Sequence, residues 1–216
     1  MSIDAAEQTV FIIDDDEDVR VSLTRSMTKR GFTVEAFATA RAFLDQFAPK
    51  LSGCLILDYG MPEMNGLELQ AELAKMGLSI PIIFITGHGG VPVSVQAMKM
   101  GAIDFLEKPF SPEALAERVR EAFAIDRAAR ADREKTARLN QRFSALTARE
   151  REIAQFIFAN PGAASSKEIA RKLDISPRTI DHHRARILEK LQLRSVFELM
   201  DFMAALTQST ETTGLN

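Results

Sequence analysis

The chain has 216 residues, 46% hydrophobic and 26% charged, with one cysteine, no tryptophan and a formal net charge of −3. That length suits two small globular domains, and a single cysteine excludes both an intrachain disulfide and a cysteine metal cluster. No apolar run approaches the roughly 18 residues of a membrane helix, and the first residues lack a basic start followed by an apolar stretch, so neither insertion nor export is expected. A reducing cytoplasm fits. The charge is divided unevenly, with net −8 over residues 1–126 and net +5 over 127–216. An acidic half suits metal ions, and a basic half is the footprint of a phosphate-backbone binder.

Thr9–Ile13 is a short apolar run that ends in Asp14, Asp15, Asp16, Glu17 and Asp18. Val19, Leu23 and Met27 then recur at helical spacing up to a stop at Gly31, and Phe32–Phe37 reads as a second strand. Ala40, Phe43, Leu44 and Phe47 stripe a second helix. The third strand, Leu51–Asp58, has Cys54 in its apolar core and stops at one carboxylate before a turn of Gly60, Pro62, Asn65 and Gly66. A continuous apolar run suits a strand buried on both faces, as in a parallel sheet, whose ligands lie beyond the carboxyl ends of its strands. Taken alone, Asp58 reads equally well as a turn-starting aspartate. A helix with Leu69, Leu73 and Met76 on one face follows, then strand Ile80–Thr86, a weakly apolar helix around Val93–Met100, strand Ile103–Leu106, and a helix from Pro112 carrying Leu115, Val119 and Phe123. Five βα repeats predict a parallel sheet wrapped by helices on both faces.

Strands ending at Asp14/Asp15, Asp58, Thr86 and, one strand further, Lys108 point the same sheet end at a common cleft. Carboxylates so gathered repel one another unless a cation sits among them, and hard oxygen donors without His or Cys suit Mg²⁺. A carboxylate can serve as a phosphorylated nucleophile, with the Thr86 hydroxyl and Lys108 ammonium binding the phosphoryl oxygens. Each part has a plainer reading, the acids as a helix N-terminal cluster and Lys108 as a solvated lysine.

Asp14-Asp15, Leu57-Asp58-Tyr59-Gly60-Met61-Pro62, Thr86-Gly87-His88 and Phe105-Leu106-Glu107-Lys108-Pro109-Phe110 resemble the receiver domain of bacterial two-component response regulators, over residues 7–125. The resemblance implies a flavodoxin-like five-stranded (βα)5 fold, with Asp58 phosphorylated by a partner histidine kinase. It also implies Mg²⁺ held by Asp15, Asp58 and the Gly60 carbonyl with Asp14 in support, phosphoryl binding by Thr86 and Lys108, and a cis Lys108–Pro109 bond. Phe105 holds the family's switch-aromatic position, for which core packing is the alternative. Gly60 and His88 stand where the family varies the lifetime of its phosphoryl group.

Residues 126–142 are charged and free of Pro and Gly, which predicts a helical, solvated linker. Everything beyond Leu146 reads as a four-helix domain over 143–206, followed by a polar tail at 207–216. Capping boxes are expected at Thr147/Glu150, Ser165/Glu168 and Ser195/Glu198, and Ser176-Pro177 opens the third helix. A tight turn between the second and third helices outlines a helix-turn-helix. These helices resemble the LuxR/NarL-type DNA-binding domain, and the whole chain is similar to the FixJ-type branch. The segment 159–166 is longer than the turn the family usually carries there. The resemblance places Asp181, His182 and Ala185 at base edges and makes Lys167, Arg178, Thr179, His183, Arg186 and Lys190 phosphate contacts. Leu199, Met203 and Leu206 either close the core or form the dimer contact that the family places on its last helix.

The expected function is a phosphorylation-switched transcription regulator, not an enzyme, which dimerises and binds double-stranded DNA, with RNA polymerase as a further partner. Two alternatives are an adaptor whose helical domain binds protein and a Mg²⁺-dependent phosphohydrolase. Against the last, Gly60 stands two residues after Asp58, where an acid/base carboxylate would be needed.

Overall fold

The computed structural model describes residues 8–46, 52–87, 91–163 and 165–213. In the acidic half, strands and helices alternate as β1 (Thr9–Ile13), α1 (Glu17–Lys29), β2 (Thr33–Phe37), α2 (Ala40–Gln46), β3 (Gly53–Asp58), α3 (Gly66–Lys75), β4 (Ile82–Thr86), α4 (Val91–Lys99), β5 (Asp104–Glu107) and α5 (Pro112–Ser144). The strands form one parallel sheet in the order β2-β1-β3-β4-β5. β1, β3 and β4 are buried along their whole length, while the edges β2 and β5 are partly exposed.

The two-residue period of the strands divides the core. Phe11, Ile13, Leu55, Leu57 and Phe84 pack with Phe43, Leu69, Leu73 and Ala97 of α2, α3 and α4. Val10, Ile12, Cys54, Ile56, Ile83 and Ile85 turn the other way, onto Leu23 and Met27 of α1 and Leu115 and Val119 of α5. Each large side chain so buried contributes about 1.5–3 kcal/mol. Cys54 is therefore core, as its neighbours suggest.

Some boundaries differ from expectation. β4 begins at Ile82, not Ile80, because Pro81 has no N–H to donate, although its carbonyl still accepts from Leu55 N. Met76 is the C-cap of α3 and 52% exposed, so it does not extend the buried face. α3 opens with a capping box between Asn65 and Glu68 that the sequence reading missed. Gly66 is needed there, since a Cβ would lie 2.7 Å from the Asp58 carbonyl oxygen and 2.7 Å from the Phe84 ring. A helix can thus start directly beneath the end of β3.

α5 runs unbroken through the segment expected to be a separate linker. The chain divides into two units at Arg130/Ala131, within this helix. Asp126 belongs to the first unit: it is 2% exposed, and its Oδ2 accepts from Ser52 Oγ (2.8 Å) and Gly53 N (3.0 Å). In the second unit, Leu139 and Phe143 pack on the helical core, and Arg142 lies over the Phe202 ring and donates to the Leu191 carbonyl. Both ends of the expected linker are therefore structural parts of a domain.

The second unit continues with α6 (Ala148–Ala159), a 3₁₀ turn (Pro161–Ala163), α7 (Ser166–Leu173), α8 (Pro177–Lys190) and α9 (Val196–Thr213). The 3₁₀ turn at Pro161–Ala163 falls within the segment expected to be long, and Ser165 still caps α7 through Glu168 N. Of the three expected capping boxes, only that of Thr147 is reciprocal. Glu168 instead accepts the Ser165 hydroxyl, and Glu198 accepts Arg194 N. Asp174, left-handed at φ 52°, ends α7, and Ser176 caps α8 ahead of Pro177. Ile153, Ile157, Ile169, Ile180, Ile187 and Leu191 form the core. Leu199, Met203 and Leu206 join it at 1%, 5% and 8% exposure, the core-closing one of the two roles expected of them.

Candidate functional site

The order β2-β1-β3 places a topological switch between β1 and β3, and the residues that end these strands are Asp14 and Asp58. Register carries the site sideways. Asp58 pairs with Ile85, Thr86 with Glu107, and Lys108 N donates to the Thr86 carbonyl at 2.7 Å. Lys108–Pro109 is cis, as the family pattern implies.

Lys108 Nζ bridges the two carboxylates, 2.9 Å from Asp14 Oδ2 and 2.8 Å from Asp58 Oδ1. Asp58 Oδ2 accepts from Gly60 N at 2.6 Å, and Asp14 Oδ1 from Asp16 N at 2.9 Å. Asp14, Asp58 and Thr86 are buried. Burial pushes the Asp14 carboxyl above the ordinary aspartate value, and hydrogen bonds from Lys108 and the Asp16 amide only partly oppose it. Burial also pulls on Lys108 in the direction of neutrality, but its bonds to Asp58 and Asp14 prevail and hold its pKa above the usual lysine value. The physical content is simple: one ammonium serves two buried carboxylates, which leaves the cluster one negative charge in excess.

The five consecutive acids divide their roles. Asp14 enters the cluster, Asp15 is exposed, and Asp16 is the N-cap of α1, accepting from Asp18 N and Val19 N. Both readings of the run hold, each for different residues. Among the described residues, no three His, Cys, Asp or Glu side chains gather as a complete ligand set. The donors still suit Mg²⁺, which takes one or two carboxylates and keeps several waters, and the bridging ammonium marks where positive charge is wanted.

Phe105 is half-buried against the apolar cluster, its ring 6.3 Å from that of its register partner Phe84. A Cβ added to Gly60 would sit 3.4 Å from Asp58 Oδ2, an ordinary contact. His88 lies outside the described residues.

In the second unit, Lys167, Arg178, Thr179, Asp181, His182, Ala185 and Arg186 are exposed. Three of the residues expected at DNA are bonded or partly enclosed within the domain. Lys190, itself half-buried, donates at 2.6 Å to Glu150, which is 1% exposed, so its ammonium is already paired within the domain. Burial pushes the Glu150 carboxyl up, but Lys190 and Thr147 overcome that and hold it at about 2. His183 is half-buried, with Nδ1 shielded from solvent. Asp181 accepts the hydroxyl of Ser166, which also accepts from Arg184 Nη1 at 3.1 Å. Glu150, Ser166, Asp126 and Arg142 are thus site or anchor residues that sequence reasoning passed over. Only Glu150 carried a signal, as a capping-box acid.

Residues 10–120 match the response regulator receiver domain, and residues 144–203 match the bacterial regulatory proteins of the luxR family. The transcriptional regulatory protein FixJ of Rhizobium meliloti is 42% identical over 90% of this chain and 94% of its own. The response regulator protein TodT of Pseudomonas putida is 37% identical over 94% of this chain and 88% of its own. The structure of the response regulator StyR superposes with a TM-score of 0.82 at 41% identity, covering 92% of this chain and 99% of that one. With both domain matches in series and relatives spanning nearly its whole length, the chain belongs to the response regulators that join a receiver domain to a LuxR-family DNA-binding domain.

Proposed function

We propose that the chain receives a phosphoryl group on Asp58 from a histidine kinase in the cytoplasm and, once phosphorylated, binds promoter DNA as a homodimer to regulate transcription. The observation that carries this reading is the shared ammonium: Lys108 Nζ spans Asp14 and Asp58 within 2.9 Å at the sheet switch point. In transfer from a phosphohistidine, an Asp58 oxygen forms the bond to phosphorus as the P–N bond breaks, and the electron pair leaves with the imidazole. Each Asp58 oxygen accepts one hydrogen bond, from Lys108 or from Gly60 N, and keeps a second lone pair with which to attack phosphorus. Lys108 then neutralises the new phosphoryl oxygens, and the Thr86 hydroxyl hydrogen-bonds them. Mg²⁺, held by Asp15, Asp58 and the Gly60 carbonyl with Asp14 in support, would supply charge neutralisation for the incoming phosphoryl group.

The new charge must favour one conformation over another, since equal stabilisation of two states shifts nothing. Movement of Thr86 toward the phosphoryl group, with Phe105 turning further inward, is the switch this site offers. For DNA, Arg178, His182, Ala185 and Arg186 form the outward face of α8, with Lys167 on α7 as a phosphate contact. Dimerisation would use the last helix, on which Leu199, Met203 and Leu206 also close the domain core, and RNA polymerase is the further partner a promoter-bound regulator meets.

The test is incubation with acetyl phosphate and Mg²⁺. The intact chain should gain one phosphoryl mass, self-associate, and retard duplex DNA with a steep salt dependence. Asp58→Asn should do none of these. Unchanged oligomerisation on adding the phosphodonor to the unaltered chain would sink the reading.

A further inference from the structure

We propose that Asp181 is the residue of α8 that selects a cytosine in the major groove, and that Ser166 positions its carboxylate for that task. The inference rests on the DNA-binding reading above. α8 buries Ile180 and Ile187 and turns Arg178, His182, Ala185 and Arg186 to solvent. Asp181 is exposed beside them, on the flank next to α7. Its Oδ1 accepts the hydroxyl of Ser166, the first residue of α7, directly after the Ser165 cap. Ser166 Oγ in turn accepts from Arg184 Nη1 at 3.1 Å. The scaffold helix therefore fixes the orientation of an acid on the recognition helix. Among the described residues, Asp181 Oδ2 is left without a hydrogen bond.

An exposed acid on a surface that approaches phosphates opposes binding, so it favours only those sequences that place a hydrogen-bond donor against it. The major-groove edges decide which base that is. Guanine shows two acceptors, thymine an acceptor and a methyl group, and adenine a donor beside the N7 acceptor, all of which repel a carboxylate in part or whole. Cytosine shows its N4 amino group with no adjacent acceptor. A carboxylate with one oxygen held by Ser166 and the other free is matched to that single donor. The same acid penalises non-specific duplex, which presents it mainly with phosphate.

The experiment selects binding sites from a random duplex pool with the full-length chain phosphorylated by acetyl phosphate. The unaltered chain should fix a cytosine at one symmetric position of each half-site. Asp181→Asn should move that preference to adenine, because an amide pairs with N6 and N7 together, and leave the other positions as they were. Asp181→Ala should lose about tenfold in discrimination at that position while binding non-specific duplex more tightly. Ser166→Ala should keep the cytosine with weaker discrimination, the mark of a positioning residue. Thermal melts within a few degrees of the unaltered chain's would show that the variants fold, as expected for changes that open no cavity in the core. An identical consensus for the unaltered chain, Asp181→Asn and Asp181→Ala overturns the proposal and leaves DNA binding standing. Failure of the unaltered chain to select any site overturns the DNA-binding reading itself, and this proposal with it.

Discussion

Among the described residues, each unit has a cluster in which a lysine meets buried carboxylates, and the two resolve the same conflict in opposite directions. At Asp14, Asp58 and Lys108, two buried acids share one ammonium, burial prevails, and the Asp14 carboxyl is pushed up. At Glu150 and Lys190, one buried acid has one ammonium plus the Thr147 N–H, hydrogen bonding prevails, and the carboxyl is held at about 2. Charge count makes the difference. A cluster with excess negative charge is poised to take up a cation and exchange partners, as a site must, whereas a balanced pair is settled and serves to lock α6 against α8.

The widest separation of the two should come from Lys190→Met. Removing the ammonium that pairs with buried Glu150 leaves an uncompensated charge, so the second unit should lose about 3–5 kcal/mol, read as a fall in its urea midpoint. Changing Glu150 to Leu in the same chain should restore most of that loss. A cost for Lys190→Met below about 1 kcal/mol would put the pair among ordinary surface bridges and erase the comparison.

Acid provides the second test. The depressed Glu150 value means that its contribution is fully present above the unfolded value of 4.5 and is lost as pH falls through about 2. That contribution is on the order of 3 kcal/mol. Asp14 has the reverse sign: its folded value lies above the model-peptide value of 3.8, so its ionisation costs stability as pH rises and acidification relieves it. Acidification from about 5 to 2 should therefore weaken the second unit more than the receiver, with the second unit's amides losing hydrogen-exchange protection first. Equal loss in both units would contradict the opposed directions.

The receiver site was legible because backbone architecture writes it into the sequence. Asp14, Asp58 and Thr86 are each the first polar residue after a strand's apolar run, and Lys108 follows the last strand directly, after Glu107. A parallel sheet then brings these ends together with no need for side-chain detail. The helical half has no such punctuation. Its core stripes at Ile153, Ile180 and Ile187 were readable, but whether a given Lys or Asp on the remaining face meets solvent or a neighbour depends on how helices cross. Lys190 and Asp181 look alike in sequence, as charges off the core stripe, yet one reaches buried Glu150 and the other Ser166. Asp126 was hidden for the same reason: among so many charges in 126–142, nothing marked it as the one that meets Ser52 and Gly53.

Gly60 sets the smallest effect and the cleanest separation of stability from function. It is exposed, has no left-handed φ to defend, and a Cβ there would meet Asp58 Oδ2 at an ordinary 3.4 Å. Gly60→Arg should accordingly change receiver stability by no more than about 0.5 kcal/mol. The same side chain would stand over the carboxylate oxygen that Gly60 N now holds, screening it from water and adding a positive charge beside it. Phosphoryl loss from Asp58, followed by intact mass after removal of acetyl phosphate, should then slow while the melting temperature stays in place. A changed melt with an unchanged decay would mean that the excess charge of this cluster is a feature of folding, as at Glu150, and that water reaches the phosphoryl group by a route Gly60 does not guard.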